Sequence, residues 1–253
     1  ANRRGRARRH QGTDPAASGG AIQAVIFDWG GTLSEHAIVE MEDMWRLAAR
    51  HLAPDKPDEM IAKLIATEEA HWGRAATDQR AGTLAELLAE AAAAIGADVA
   101  EAVMEEAAVS YLDAWTPHIV HDPEAAAALG ELRERGLRIG LLSNTHWPRT
   151  FHEHFLERDG LAELIDARLY TSEMQYMKPH PDAFRTALDA LGVEDPARAV
   201  FVGDRPFDDI HGAQQAGMRA VLRPNSDVPA HDVTPDAEIA SLHELAALVD
   251  GWS

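Results

Sequence analysis

Four groups of residues in this sequence could do chemistry together. Asp28 closes an apolar run in "AVIFDWGGTLS", and Ser143 and Asn144 close another in "GLLSNT". Lys178 lies in "MKPHP", and Asp204, Asp208 and Asp209 follow "FVG" in "FVGDRPFDDI". A carboxylate can attack phosphorus when a cation screens the substrate's negative charge. Asp28, Asp204 and a further Asp supply the hard oxygen ligands that Mg²⁺ prefers. Lys178 can neutralise Asp28 and a phosphate oxygen, while Ser143 and backbone N–H groups hold the remaining oxygens. Taken singly, each has an ordinary role: a turn former, a helix cap, a surface charge, a solvated helix start. Their order, each at the exit of an apolar run, favours a shared site.

Those runs define the elements that must position the site. The strand candidates are Ile22–Asp28, Leu137–Ser143, Ala167–Tyr170, Ala199–Gly203 and Arg219–Leu222. They are continuously apolar rather than alternating, the pattern of parallel strands buried on both faces. Helical patterns lie between them at Pro123–Arg135, Pro148–Arg158, Pro181–Leu191 and Asp208–Ala216. Several open on Pro and stop at Gly136, Gly192 or Gly217, in keeping with helix start and stop chemistry. Alternation of this kind predicts an α/β fold: a Rossmann-like, doubly wound parallel sheet whose strand tips share one edge.

One region breaks the alternation. Residues 34–121 read as helix only, rich in Ala, Glu and Leu, and are inserted directly after the first strand. The predicted division is therefore a core of 21–33 and 122–253 with an all-helical cap domain at 34–121. An insertion at that point sits over the strand tips, which favours a lid over a purely stabilising lobe. Within it, "EAHWGRAATDQRAGTL" is the least regular stretch, where His71, Trp72, Arg74 and Arg80 could read a substrate.

Composition narrows the function classes. The 253 residues are 46% hydrophobic and 26% charged, an ordinary globular balance. No apolar run approaches a membrane span. Cysteine is absent, which excludes disulfides, thiolate metal sites and thiol nucleophiles. The net charge of −19 includes five arginines in "RRGRARRH", so the remainder is more acidic still and should repel nucleic acid. Residues 1–20 read as a disordered basic tail on composition. With no targeting signal read, the expected location is cytoplasmic and the expected partner a small phosphorylated metabolite.

"FDWGGTL", "LLSNT", "KPHPDAF" and "FVGDRPFDDIHGAQQAGM" together resemble the four motifs of the haloacid dehalogenase superfamily. The resemblance covers nearly all of Ala21 to Trp252, and the insertion matches that family's first-type cap in position and size. It implies Asp28 as covalent nucleophile and catalytic roles for Ser143 and Lys178. Phosphate would be bound by Ser143, Asn144, Lys178 and the turn at Gly31. Mg²⁺ would be held by Asp28, the carbonyl of Gly30, Asp204 and either Asp208 or Asp209. Asp209, which precedes Ile210 as in the family pattern, is favoured for that last place.

Position 30 departs from the pattern. Phosphatases of this family carry a second Asp there, which protonates the leaving group and then activates water. Dehalogenases also lack it, but use no metal and lack the acid kept here at Asp204. Phosphonoacetaldehyde hydrolases have a similar first motif and need a cap lysine for a Schiff base. Lys56 and Lys63 lie in the cap region, with Lys63 better placed. Candidate substitutes for the missing acid are His146, beside Trp147, and His36, beside Glu35; histidine has a suitable unperturbed pKa. The expected activity is Mg²⁺-dependent hydrolysis of a small phosphate monoester. The alternatives are carbon–phosphorus cleavage and a weakly catalytic binding protein.

Overall fold

The computed structural model describes residues 21–252, so the expected basic tail at 1–20 lies outside the described residues. Six strands form one sheet: β1 (Ala24–Phe27), β2 (Arg138–Ser143), β3 (Ala167–Tyr170), β4 (Ala199–Gly203), β5 (Arg219–Leu222) and β6 (Ala237–Glu238). Their order is β3-β2-β1-β4-β5-β6, and every neighbouring pair is parallel. The order reverses between β1 and β4, the crevice where open α/β sheets bind ligands. In register, Phe27 stands beside Leu141 on one side and Val202 on the other. Asp28, Ser143 and Asp204 are thereby carried to one edge.

The expected strands hold, with β1 shortened to Ala24–Phe27 and β2 beginning at Arg138. β6 escapes a sequence reading because two residues carry no periodicity.

Nine helices are described: α1 (Met41–Leu52), α2 (Pro57–Gly73), α3 (Leu84–Ala94), α4 (Glu101–Trp115), α5 (Ala125–Glu134), α6 (Arg149–Arg158), α7 (Pro181–Ala190), α8 (Gly212–Gln215) and α9 (Glu244–Asp250). α5, α6 and α9 cover one face of the sheet through a core that includes Val25, Phe27, Leu129 and Phe155. α7 and α8 cover the other around Ile26, Phe184 and Phe201. The expected helix at Asp208–Ala216 is a wide π-helical turn (Pro206–His211) that tightens into α8. No described helix is long and apolar enough to cross a membrane.

The helices α1 to α4 fill the insertion and enclose a separate core built on Trp45, Leu64, Leu88 and Tyr111. α3 begins with a capping box, Thr83 and Glu86 satisfying each other's backbone N–H groups. Two paired segments connect this lobe to the sheet: Glu35 N–H donates to Val120 O (2.8 Å) and Asp122 N–H to Leu33 O (2.9 Å). Arg223, just past β5, clamps both, donating to Thr32 O (2.6 Å) and the Asp122 carboxylate (2.5 Å).

A second tie lies away from that hinge. Ala81 N–H donates to Gln175 O (3.1 Å), Met177 N–H to Gln79 O (2.9 Å) and Leu84 N–H to His146 O (2.7 Å). The helical lobe is thus hydrogen-bonded to loops on either side of the strand tips.

Candidate active site

The turn after β1 explains why glycine follows Asp28. Gly31 has φ +83°, the left-handed region, and a Cβ there would come within 2.2 Å of Asp204 Oδ2. The two motifs pack together only because position 31 has no side chain. Gly203 does the same for Asp209, whose carboxylate would lie 2.3 Å from an added Cβ.

Lys178 is 1% exposed and donates to Asp28 Oδ1 (2.6 Å) and Asp209 Oδ1 (2.7 Å). Asn144 fixes the lysine's backbone: its Nδ2 donates to Lys178 O and its Oδ1 accepts from Lys178 N–H, both at 2.9 Å. The Asn144 side chain is therefore engaged in holding Lys178. Ser143, at the end of β2, lines the cavity over the site together with Gly30 and Gly31.

Asp28, Asp204 and Asp209 each offer an oxygen within 4.8 Å of the others, and all three are buried. Asp204 Oδ2 accepts from Asn225 (2.9 Å), but its Oδ1 is buried without a partner. Three carboxylates against one ammonium leave negative charge in excess, and buried charge of this kind demands a cation or a proton. Burial, followed by the Asp209 carboxylate, pushes Asp204 up to about 6. Asp28 is raised to about 7 by burial, against the pull of Lys178. The oxygen-only donor set and the orphaned Asp204 Oδ1 fit a hard divalent cation such as Mg²⁺. Asp209 belongs to this set. Asp208 lines the cavity instead, pushed up to about 6 by burial and by Asp209.

The cavity holds about 440 Å³ between the strand tips and the helical lobe. His146 and His36 both line it; Lys63, half-buried on α2, is not among its lining residues, and Lys56 bonds to Ile95 O (3.0 Å) elsewhere in the lobe. Burial drives His146 down to about 3, so its imidazole is neutral. His36 is exposed at the mouth.

Two networks were not legible in the sequence. Trp29, directly after Asp28, donates from Nε1 to His121 Nε2 (2.9 Å), and His121 Nδ1 lies 2.6 Å from Asp159 Oδ2. An indole nitrogen only donates, so His121 accepts at Nε2 and carries its proton at Nδ1 toward Asp159. This braces the turn at Asp28 against the hinge. In the lobe, Glu68 accepts from Trp45 Nε1 (2.8 Å) and the Tyr111 hydroxyl (3.0 Å), and its Oε1 lies 3.5 Å from His146 Nε2. Burial raises the Glu68 carboxyl.

A sheet of this order, with a carboxylate at each side of its switch point and a lysine between them, belongs to a defined class of hydrolase. The family model for haloacid dehalogenase-like hydrolases matches residues 22–217, and the chain belongs to that family. A phosphoglycolate phosphatase of Rhodospirillum rubrum is 32% identical over 209 residues, 79% of this chain and 78% of that protein. A phosphoserine phosphatase of Thermus thermophilus is 39% identical over 128 residues, and this chain spans about half (49%) of its length. A solved 2-haloacid dehalogenase from Pseudomonas syringae pv. Tomato superposes with TM-score 0.65 at 26% identity, covering 92% of this chain and all of that one (100%).

Proposed function

We propose that this chain is a Mg²⁺-dependent phosphatase that cleaves small phosphate monoesters through an aspartyl-phosphate at Asp28. The carrying observation is the buried cluster of Asp28, Asp204 and Asp209 around the single ammonium of Lys178, with Asp204 Oδ1 unpartnered. A dehalogenase has no need of that excess negative charge, whereas a phosphate ester brought beside a carboxylate needs a cation.

In this reading Asp28, Asp204, Asp209 and the Gly30 carbonyl hold the ion, which when bound screens nucleophile and phosphate from each other. Asp28 attacks phosphorus and forms the acyl phosphate as the ester oxygen leaves. Lys178 Nζ, Ser143 Oγ and the N–H groups of the turns at Gly31 and Asn144 take the phosphoryl oxygens. Asn144 and Asp209 keep the lysine in place. Lys178 stays protonated, because its two carboxylate partners raise it despite burial. Position 30 offers no proton, so alcohols that leave as weak bases are favoured, and water must attack the aspartyl-phosphate without a base from that position.

The names of the relatives support phosphate ester hydrolysis. A Schiff-base route to carbon–phosphorus cleavage is disfavoured, since neither cap lysine lines the cavity. Phosphate release from a panel of monoesters, with Mg²⁺ and with chelator, tests the proposal. Release should require both Mg²⁺ and Asp28; full activity in Asp28→Asn would overturn it.

A further inference from the structure

Arg205 opens the wide turn that carries Asp208 and Asp209. Its backbone is pinned there. The N–H donates to Asp209 Oδ2 (2.9 Å), and the carbonyl accepts from the N–H groups of Asp209 (2.9 Å) and Ile210 (3.3 Å). Its side chain is not pinned. The residue is exposed and lines the cavity, and its guanidinium makes no hydrogen bond or ion pair with any described residue.

Acids are not lacking nearby. Desolvation by the surrounding site works against the charge of Arg205, yet Asp204, Asp208, Asp209 and Asp28 together hold it above its ordinary value. The acid cluster is turned elsewhere: Asp28 Oδ1 and Asp209 Oδ1 to Lys178, Asp209 Oδ2 to the Arg205 backbone, and Asp204 Oδ2 to Asn225. The N–H donors of an arginine form a rigid fork that fits a carboxylate through two parallel bonds. Held at its base and unsatisfied at its tip, Arg205 offers that fork to whatever fills the cavity.

Lys178 and Arg205 are the only Lys and Arg in the described lining, and Lys178 is committed to Asp28 and Asp209. The side toward the helical lobe contributes Glu35, Glu68 and Glu69. A second negative charge on a substrate therefore has Arg205 to meet it. Arg205 directly follows Asp204, so that charge would stand a short chain away from phosphorus.

We infer that Arg205 is a specificity residue that takes a carboxylate of the substrate, which makes the preferred ligands phosphate monoesters of short hydroxy acids. This rests on the phosphatase reading for the phosphate end of the ligand. The carboxylate preference itself can be measured without turnover.

The probes are ω-carboxyalkyl phosphonates of increasing chain length and length-matched alkyl phosphonates, which have no ester bond to cleave. Each is titrated calorimetrically into the full chain with Mg²⁺. At short chain lengths the carboxylate should bind about tenfold more tightly than its alkyl partner, although the cavity is otherwise acidic. Arg205→Gln should bring that ratio to about one, and Arg205→Lys, which keeps the charge but not the fork, should leave it in between. Both variants should fold, since the side chain bonds to nothing in the protein, and melting curves check this. Equal binding of the two wild-type series at every length overturns the inference. So does an Arg205→Gln protein that keeps the preference, or one that loses affinity for both series alike, which would put the guanidinium on the phosphoryl group. Carboxylate-selective binding by a protein that hydrolyses none of the corresponding phosphate monoesters would instead sink the phosphatase reading and leave the role of Arg205 standing.

Discussion

At the residue scale, Gly30 is where this chain departs from a phosphatase pattern, and the surroundings make the departure testable. A Cβ built at Gly30 meets nothing within 4 Å, and its backbone lies outside the positive-φ region. Gly30→Asp should therefore fold normally, and restoring an acid–base group should raise turnover by roughly 10²- to 10⁴-fold. An unchanged kcat would mean that another group already moves the proton. Lys178 is the opposite case. Lys178→Met would leave Asp28 and Asp209 buried against each other, and loss of one partner of a buried ionic network destabilises by about 3–5 kcal/mol. Denaturant melts of the metal-free protein would read that loss directly. The motif residues were legible because Asp28, Ser143 and Asp204 sit at strand exits and Lys178 sits just before the start of a Pro-led helix. Trp29, His121 and Asp159 were not, because the contacts span 92 and 38 residues. Glu68 was hidden for a related reason: one acid on a glutamate-rich helix carries no local mark of being buried.

At the scale of elements, the helical lobe is held by its hinge and also by the tie between Gln79–Leu84 and the loops at His146 and Gln175–Met177. The amides of Ala81, Leu84 and Met177 should exchange with solvent as one cooperative unit, slower than neighbouring loop amides and slower again with phosphate ligand bound. Independent exchange of the three would show that the lobe does not move as a body. The first motif offers a second check. Gly31→Ala forces a left-handed residue to carry a side chain and pushes into Asp204. It should destabilise the fold by about 1 kcal/mol or more and abolish stabilisation by Mg²⁺. The sequence conveyed the sheet because buried parallel strands are continuously apolar, and it conveyed the insertion as the stretch without strands. It did not convey the tie, since backbone hydrogen bonds between irregular loops leave no residue pattern.

At the scale of the whole molecule, the acidic cluster couples stability to pH. Asp28 is raised to about 7, and Asp204 and Asp208 to about 6, from an unfolded value of 3.8. The metal-free folded state then holds protons that the unfolded chain has already released. The stability these groups contribute is complete below about pH 4 and is lost as pH rises toward 7. Mg²⁺ takes the place of those protons, so its stabilising effect should grow over the same interval. Melting temperatures with Mg²⁺ and with chelator should diverge as pH rises; parallel curves would contradict a cation site at Asp28, Asp204 and Asp209.

The proposed mechanism requires Asp28 to become phosphorylated, and position 30 makes that event easier to catch. With no side chain there to activate water, breakdown of the aspartyl-phosphate should be slow and the intermediate should accumulate during turnover. The decisive measurement is to quench the protein with acid during hydrolysis of an active monoester with Mg²⁺ and weigh the peptide that contains Asp28. This peptide should gain one phosphoryl group with Mg²⁺ and stay unmodified under chelator. Phosphate release at full rate with an unmodified Asp28 peptide at every quench time would contradict it.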